Sequence, residues 1–293
     1  MSRVSMNRQR RQVLLAACAL LAAPAWSRAN EPDLTARARE IEAKVGGRLG
    51  VYILDTGSGR EFGWRADERF MMLSSFKALA GAWVLARAER GQGALDQRIA
   101  FPKSTLVDWS PVTEKHAGGP GMTLAELCAA TITTSDNTAA NLILDATGGP
   151  AALTAFLREQ GDGVTRLDRC EPELNRADGL KDTSTPRAMA HSLQRLALGQ
   201  GLGPDSRRQL QAWLVANTTG DKRIRAGLPA GWKVGDKTGT NRSDANDIAI
   251  VWPPGRAPLV VAAYLAGSPA SAADKDAALA AVGRLAADFA QAR

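Results

Sequence analysis

Ser74 and Lys77, in Met72-Leu73-Ser74-Ser75-Phe76-Lys77-Ala78-Leu79, are the first residues along this 293-residue chain whose types and spacing could do chemistry. Three residues apart on a helix they share a face, so the hydroxyl and the amine can meet. A serine needs a neighbouring base to become a nucleophile at neutral pH, and a desolvated lysine can supply one. Three later stretches carry groups of the same kind. Thr134-Ser135-Asp136-Asn137-Thr138 reads on its own as a polar turn or helix cap. Glu171-Pro172-Glu173-Leu174-Asn175 begins a polar stretch without periodicity that runs to Asp182, an ordinary surface loop in isolation. Asp236-Lys237-Thr238-Gly239-Thr240 falls on a predicted strand, where a glycine lets another backbone or a ligand come close.

The elements that must position these residues follow from periodicity and punctuation. Leu34, Ala38, Ile41 and Val45 predict a helix over 33–46. Two β-rich runs between Arg48 and Trp64 flank Thr56-Gly57-Ser58-Gly59 as a hairpin. A helix opening near Ser74 should run to about Arg90, where Gly91 and Gly93 stop it. Thr123 with Glu126 reads as a capping box, Gly148-Gly149-Pro150 separates two helices, and Thr185-Pro186 supplies an N-cap and an N1 proline. A further helix follows Pro204-Asp205-Ser206. Short β-type runs return at Lys233–Thr240, Asp247–Trp252 and Leu259–Leu265, before a last helix with Leu279, Val282, Leu285 and Phe289 on one face. Strands at both ends and helices between them predict an α+β fold: an antiparallel five-stranded sheet flanked by the terminal helices, beside an all-helical domain. Residues 30–66 with 217–293 would form the first domain, and 67–216, including the Glu171 loop, the second. Ser74 would lie at their junction, where ligand clefts form.

The formal charge of +7 is concentrated at the start of the chain. Residues 1–29 hold five arginines and no acid, and without them 32 basic residues face 30 acidic ones. That balance gives no electrostatic footprint for nucleic acid. The same segment has the layout of a signal peptide. A basic region through Arg11 precedes an apolar run from Val13 to Ala23, with small-residue sites at Ala23-Pro24-Ala25 or Ser27-Arg28-Ala29. The run is too short to span a bilayer. Arg10-Arg11-Gln12-Val13-Leu14 resembles a twin-arginine export signal, and Leu15-Ala16-Ala17-Cys18 matches a lipoprotein pattern with an unusually short apolar stretch before it. A periplasmic location is the expectation, with a lipid anchor at Cys18 the lesser one. Beyond the segment only Cys128 and Cys170 remain, too few for a disulfide scaffold, and are expected as reduced thiols. His116 and His191 lack the company of a zinc site.

Taken together and in this order, the four stretches resemble the active site of the class A serine β-lactamases. The resemblance covers most of the chain after the signal segment and extends to Trp109-Ser110-Pro111-Val112-Thr113-Glu114-Lys115-His116, Asn137-Thr138-Ala139-Ala140-Asn141-Leu142 and Asn217-Thr218-Thr219-Gly220. It implies β-lactam substrates, no cofactor, no metal, no stable membrane association after signal cleavage, and a monomer. It further implies that Ser74 is the nucleophile and that the backbone N–H groups of Ser74 and Thr240 hold the oxyanion. Either Lys77 or Glu171, acting through a water, is the acylation base. Ser135 relays a proton to the leaving nitrogen, and Lys237 supplies positive charge. Asn137 contacts the substrate amide, and Glu171 with Asn175 holds the hydrolytic water. Thr238, Gly239, Thr240 and Arg223 receive the substrate carboxylate, and Trp109 walls the cleft mouth. Arg169 and Asp182 bracket the Glu171 loop and could pair across its neck.

Glu171 separates the hydrolases from the penicillin-binding transpeptidases, which share the other three motifs. The rival readings are a D,D-carboxypeptidase and a β-lactam sensor domain. Several features depart from the family pattern. The segment from Asn175 to Asp182 is about two residues short. Leu73 and Asn241 stand where carbapenemases of this class often carry a cysteine pair, and Gly81 stands where some members bridge the counterpart of Cys128. Penicillins and cephalosporins are the expected substrates; the motifs do not place carbapenems inside or outside the range.

Overall fold

A computed structural model describes residues 33–292. The export signal and Cys18 lie outside the described residues. Helix α1 (Leu34–Val45) begins where Asp33 accepts from the Ala36 N–H. Strand β1 (Arg48–Asp55) then pairs antiparallel with β2 (Glu61–Trp64) across the expected turn. Late in the chain β7 (Lys233–Thr240), β8 (Ala245–Trp252) and β9 (Leu259–Ala266) complete an antiparallel sheet of order β2-β1-β9-β8-β7. The three central strands are buried on both faces, so they read as near-continuous apolar runs and not as alternating ones. One face packs Leu49, Val51, Ile53, Val261 and Leu265 against α1 and the final helix α9 (Ala272–Gln291). The other turns Tyr52, Leu54, Ile248, Ile250 and Tyr264 toward the helical half.

At the centre of that half is α2 (Phe76–Glu89), buried from Phe76 to Ala86. A helix apolar all round belongs inside a core. Around it stand α3 (Leu124–Thr133), α4 (Asn137–Thr147), α5 (Gly149–Glu159), α6 (Pro186–Ala197) and α7 (Pro204–Val215). Local chemistry sets their ends. Thr123 and Glu126 close both halves of a capping box, and Asp136 and Thr185 cap α4 and α6. Gly148 adopts φ +97° between α4 and α5, a conformation that costs glycine little.

Three features differ from the expectations. Ser74 sits on a 3-10 turn, Leu73–Ser75, and α2 starts only at Phe76. Two pairs of two-residue strands, β3 (Phe70–Met71) with β6 (Thr183–Ser184) and β4 (Arg98–Ile99) with β5 (Met122–Thr123), tie the loops together. A one-turn helix, α8 (Ile224–Gly227), follows Arg223. Elements this short carry no readable period. Cys128 is buried and unbridged, and Ile132 fills the space beside Gly81 so closely that a Cβ there would lie 2.7 Å from its Cδ1.

Candidate active site

The four stretches meet at one cleft of about 380 Å³. Ser74 lines it from the 3-10 turn. Ser135 and Asn137 come from the start of α4, Asn175 from the loop before α6, and Thr238 and Thr240 from the edge strand β7. Gly239 is where β7 passes the turn that carries Ser74: a Cβ there would sit 2.9 Å from Met72 O and 3.2 Å from Ser74 N. The glycine therefore permits a backbone approach, as its place on a strand suggested.

Lys77 Nζ lies 2.9 Å from Ser74 Oγ. It also donates to Ser135 O at 2.8 Å and Asn137 Oδ1 at 2.5 Å, and stands 3.2 Å from Glu171 Oε1. Ser74 Oγ in turn lies 3.3 Å from Glu171 Oε1. Glu171 is buried, and Asn175 Nδ2 donates to its other oxygen, Oε2, at 2.6 Å. Asn175 Oδ1 is buried with no hydrogen-bond partner among the described residues. Asn141, on α4, clamps the Glu171 backbone from both sides: its Nδ2 donates to Glu171 O, and its Oδ1 accepts from Glu171 N. An asparagine amid Leu142, Ile143 and Leu144 was the available sequence signal for that clamp.

Lys237, from β7, donates to Ser135 Oγ at 3.1 Å, so this hydroxyl stands between two lysines. Both are fully enclosed. Burial holds the Lys77 ammonium below the usual lysine range, a shift opposed by the Glu171 carboxylate. Lys237 is pushed well below that range, first by burial and then by the charge on Lys77.

Arg223 is not a surface residue of the basic run around it, being only 7% exposed. Its guanidinium donates to Gly239 O, Asn246 O and Thr240 Oγ1 and pairs with Asp276. Thr219, to which the sequence reading gave no role, lines the cleft and shares a 2.6 Å contact with Thr238 Oγ1. Behind it Asn217 donates to Asp236. Trp109 stands at the rim, 64% exposed, anchored through Nε1 to Thr134 O. Across the loop neck Arg169 Nε pairs with Asp182 Oδ2 at 2.6 Å, and Asp182 Oδ1 accepts from the N–H groups of Asp168 and Arg169.

Leu73, Trp109, Ser135 and Asp182, all non-glycine, have φ between +48° and +62°. Such residues cost of order 1–3 kcal/mol each and persist where their surroundings over-determine them, which happens most at functional sites.

Known proteins repeat this fold. A family model described as the β-lactamase enzyme family matches residues 33–290. A carbapenem-hydrolysing β-lactamase, KPC, from Klebsiella oxytoca is 51% identical over 84% of this chain and 85% of its own. CTX-M-8 of Citrobacter amalonaticus is 44% identical over 96% and 97%. Among solved structures, an ancestral class A β-lactamase of Gram-negative bacteria superposes with TM-score 0.85 at 61% identity, covering 87% of this chain and 99% of that one. A β-lactamase from Xanthomonas campestris gives 0.86 at 50% identity, covering 88% and 97%. The chain belongs to the β-lactamase enzyme family, as a hydrolase of its serine class A.

Proposed function

We propose that this enzyme opens the β-lactam amide of penicillins and cephalosporins through an acyl-enzyme on Ser74, and so confers resistance to these antibiotics. The observation that carries the reading is the Ser74 hydroxyl, flanked by Lys77 Nζ at 2.9 Å and Glu171 Oε1 at 3.3 Å. As Oγ attacks the ring carbonyl, its proton passes to Glu171 or Lys77. Lys77 Nζ stands among Ser135 O, Asn137 Oδ1 and Glu171 Oε1, and Glu171 Oε1 also faces the hydroxyl, so one can act as the base and the other as its proton partner. A proton crossing the 3.2 Å contact would exchange the two roles.

The N–H groups of Ser74 and Thr240 would hold the oxyanion; removing one such donor elsewhere costs roughly 100- to 1,000-fold in kcat. Ser135, between the two lysines, would return a proton to the departing nitrogen while Lys237 keeps the region positive. Thr238, Gly239, Thr240 and Arg223 would receive the substrate carboxylate, Asn137 its side-chain amide, and Trp109 its apolar flank. Glu171 and the open acceptor Asn175 Oδ1 would then bind and activate the water that hydrolyses the ester.

Replacing Glu171 by glutamine should therefore trap the acyl-enzyme. Mass spectrometry after mixing with benzylpenicillin should find the added mass of one intact substrate on Ser74, persisting for minutes. Wild-type turnover by that variant would overturn the assignment. Relatives named β-lactamases at 44–51% identity favour the hydrolase over the D,D-carboxypeptidase and sensor readings. Export to the periplasm by the twin-arginine route, a monomeric state and the two-domain division at 66/67 and 216/217 belong to the same proposal. Segment 1–29 supports the first, and the run of helices between the first two strands and the last three supports the last. Lysine at both Arg10 and Arg11 should leave the protein in the cytoplasm on cell fractionation. None of the described helices is long and apolar enough to cross a membrane.

A further inference from the structure

The geometry points to Asn246 as a positioning residue of the reaction, one that holds the nucleophile turn in the shape that aims the Ser74 N–H at the oxyanion. The inference rests on the reading of that N–H as an oxyanion donor. Asn246 does not line the cleft and is only 1% exposed, the second residue of β8. A buried asparagine is costly unless its amide is satisfied. Here Nδ2 donates to Met71 O at 2.9 Å and Met72 O at 3.1 Å, the two carbonyls just before the turn.

That turn is where the backbone most needs holding. Leu73 has φ +48° with no glycine to relieve it. Met72 is fixed from several sides: its N–H donates to Asp182 O, and its carbonyl accepts from Ser75 N, Ser75 Oγ and Asn246. Asp182 belongs to the loop neck and Ser75 to the turn itself, so of the partners of the Met72 backbone Asn246 is the one that belongs to the sheet; the Ser75 hydroxyl adds a 3.3 Å contact to Tyr264 Oη on β9. It is also the cross-strand partner of Gly239, the residue against which Ser74 N packs. Its own carbonyl accepts from Arg223 Nη1 at 2.7 Å. One residue thus fixes the nucleophile turn relative to both β7 and the guanidinium.

The test compares N246A, N246D and N246S with wild type, and each again in an E171Q background loaded with benzylpenicillin. N246A and N246D remove the donor, and N246S keeps a shorter one. With the donor gone, kcat should fall about tenfold to a hundredfold, within or below what losing one oxyanion donor outright costs. KM should move little. In the trapped acyl-enzymes the infrared stretch of the ester carbonyl should rise in frequency, because the oxyanion donors grip it less. N246S should recover part of both effects. A residue that merely filled space would lower Tm, leave the carbonyl band where it is in E171Q alone, and make N246S no better than N246A; that pattern, or unchanged kcat in N246A, overturns the inference. If N246A does not fold, the same comparison between N246D and N246S decides. Trapping in E171Q itself, read as added mass, separately checks the underlying assignment, so the two failures are told apart.

Discussion

At the scale of single residues, the Ser74 hydroxyl differs from other serines only in what surrounds it. A buried lysine and a buried carboxylate 3.2 Å apart are each costly to desolvate and compensate one another. Arg223 is a second case. Its side chain could have been a solvated member of Lys222-Arg223-Ile224-Arg225, yet it is enclosed and engaged on Thr240, Gly239, Asn246 and Asp276. A charge-assisted hydrogen bond to a substrate carboxylate is worth about 1.5–3 kcal/mol. R223Q should therefore lower kcat/KM for benzylpenicillin about tenfold to a hundredfold, mostly through KM. A steady-state titration checks this, and an unchanged KM would remove Arg223 from the carboxylate site.

The loop from Arg166 to Asp182, whose regular structure is a single 3-10 turn at Glu173–Asn175, shows how such a segment is made rigid. Asp182 gathers two N–H groups and the Arg169 guanidinium, and its carbonyl accepts from Met72 N. Removing one partner of a buried pair costs about 3–5 kcal/mol. Arg169 is partly exposed, so the lower end applies to D182N. The variant should lose thermal stability and, because Glu171 rides on this loop, deacylate more slowly while its acylation burst persists. Stopped-flow burst kinetics separate the two steps; equal slowing of both would contradict the assignment. Helix ends were legible here because caps are local chemistry, as at Thr123 and Thr185. The two-residue strands, the 3-10 turn and α8 were not, since three or four residues carry no period.

Over the whole molecule, charge buried beneath the cleft should make stability depend on pH. Burial, with Asp236 nearby, pushes the Asp247 carboxyl well above the usual range, and its Oδ1 has no partner among the described residues. Folded protein then keeps this proton where unfolded chain has lost it. From about pH 4 upward the Asp247 contribution falls with rising pH, until the folded-state pKa is passed. D247N removes that slope and can still accept from the Ile224 N–H through its remaining oxygen. Denaturant unfolding should find variant and wild type alike below about pH 4, and the variant increasingly more stable above it. Curves that stay parallel would rule the effect out.

The order and identity of Ser74-x-x-Lys77, Ser135-Asp136-Asn137, Glu171 and Lys237-Thr238-Gly239 carried the resemblance to class A β-lactamases and, through it, the expected chemistry, while apolar periodicity with capping residues gave the main helices and β-rich runs gave the strands of the sheet. Both are properties of residue type and short spacing. The left-handed backbone at Leu73, Trp109, Ser135 and Asp182, the burial of Arg223, the Asn141 clamp and the reach of Asn246 to the nucleophile turn came only with the folded chain. Residues of these types have no such preference locally; packing and hydrogen bonds from segments distant along the chain impose it.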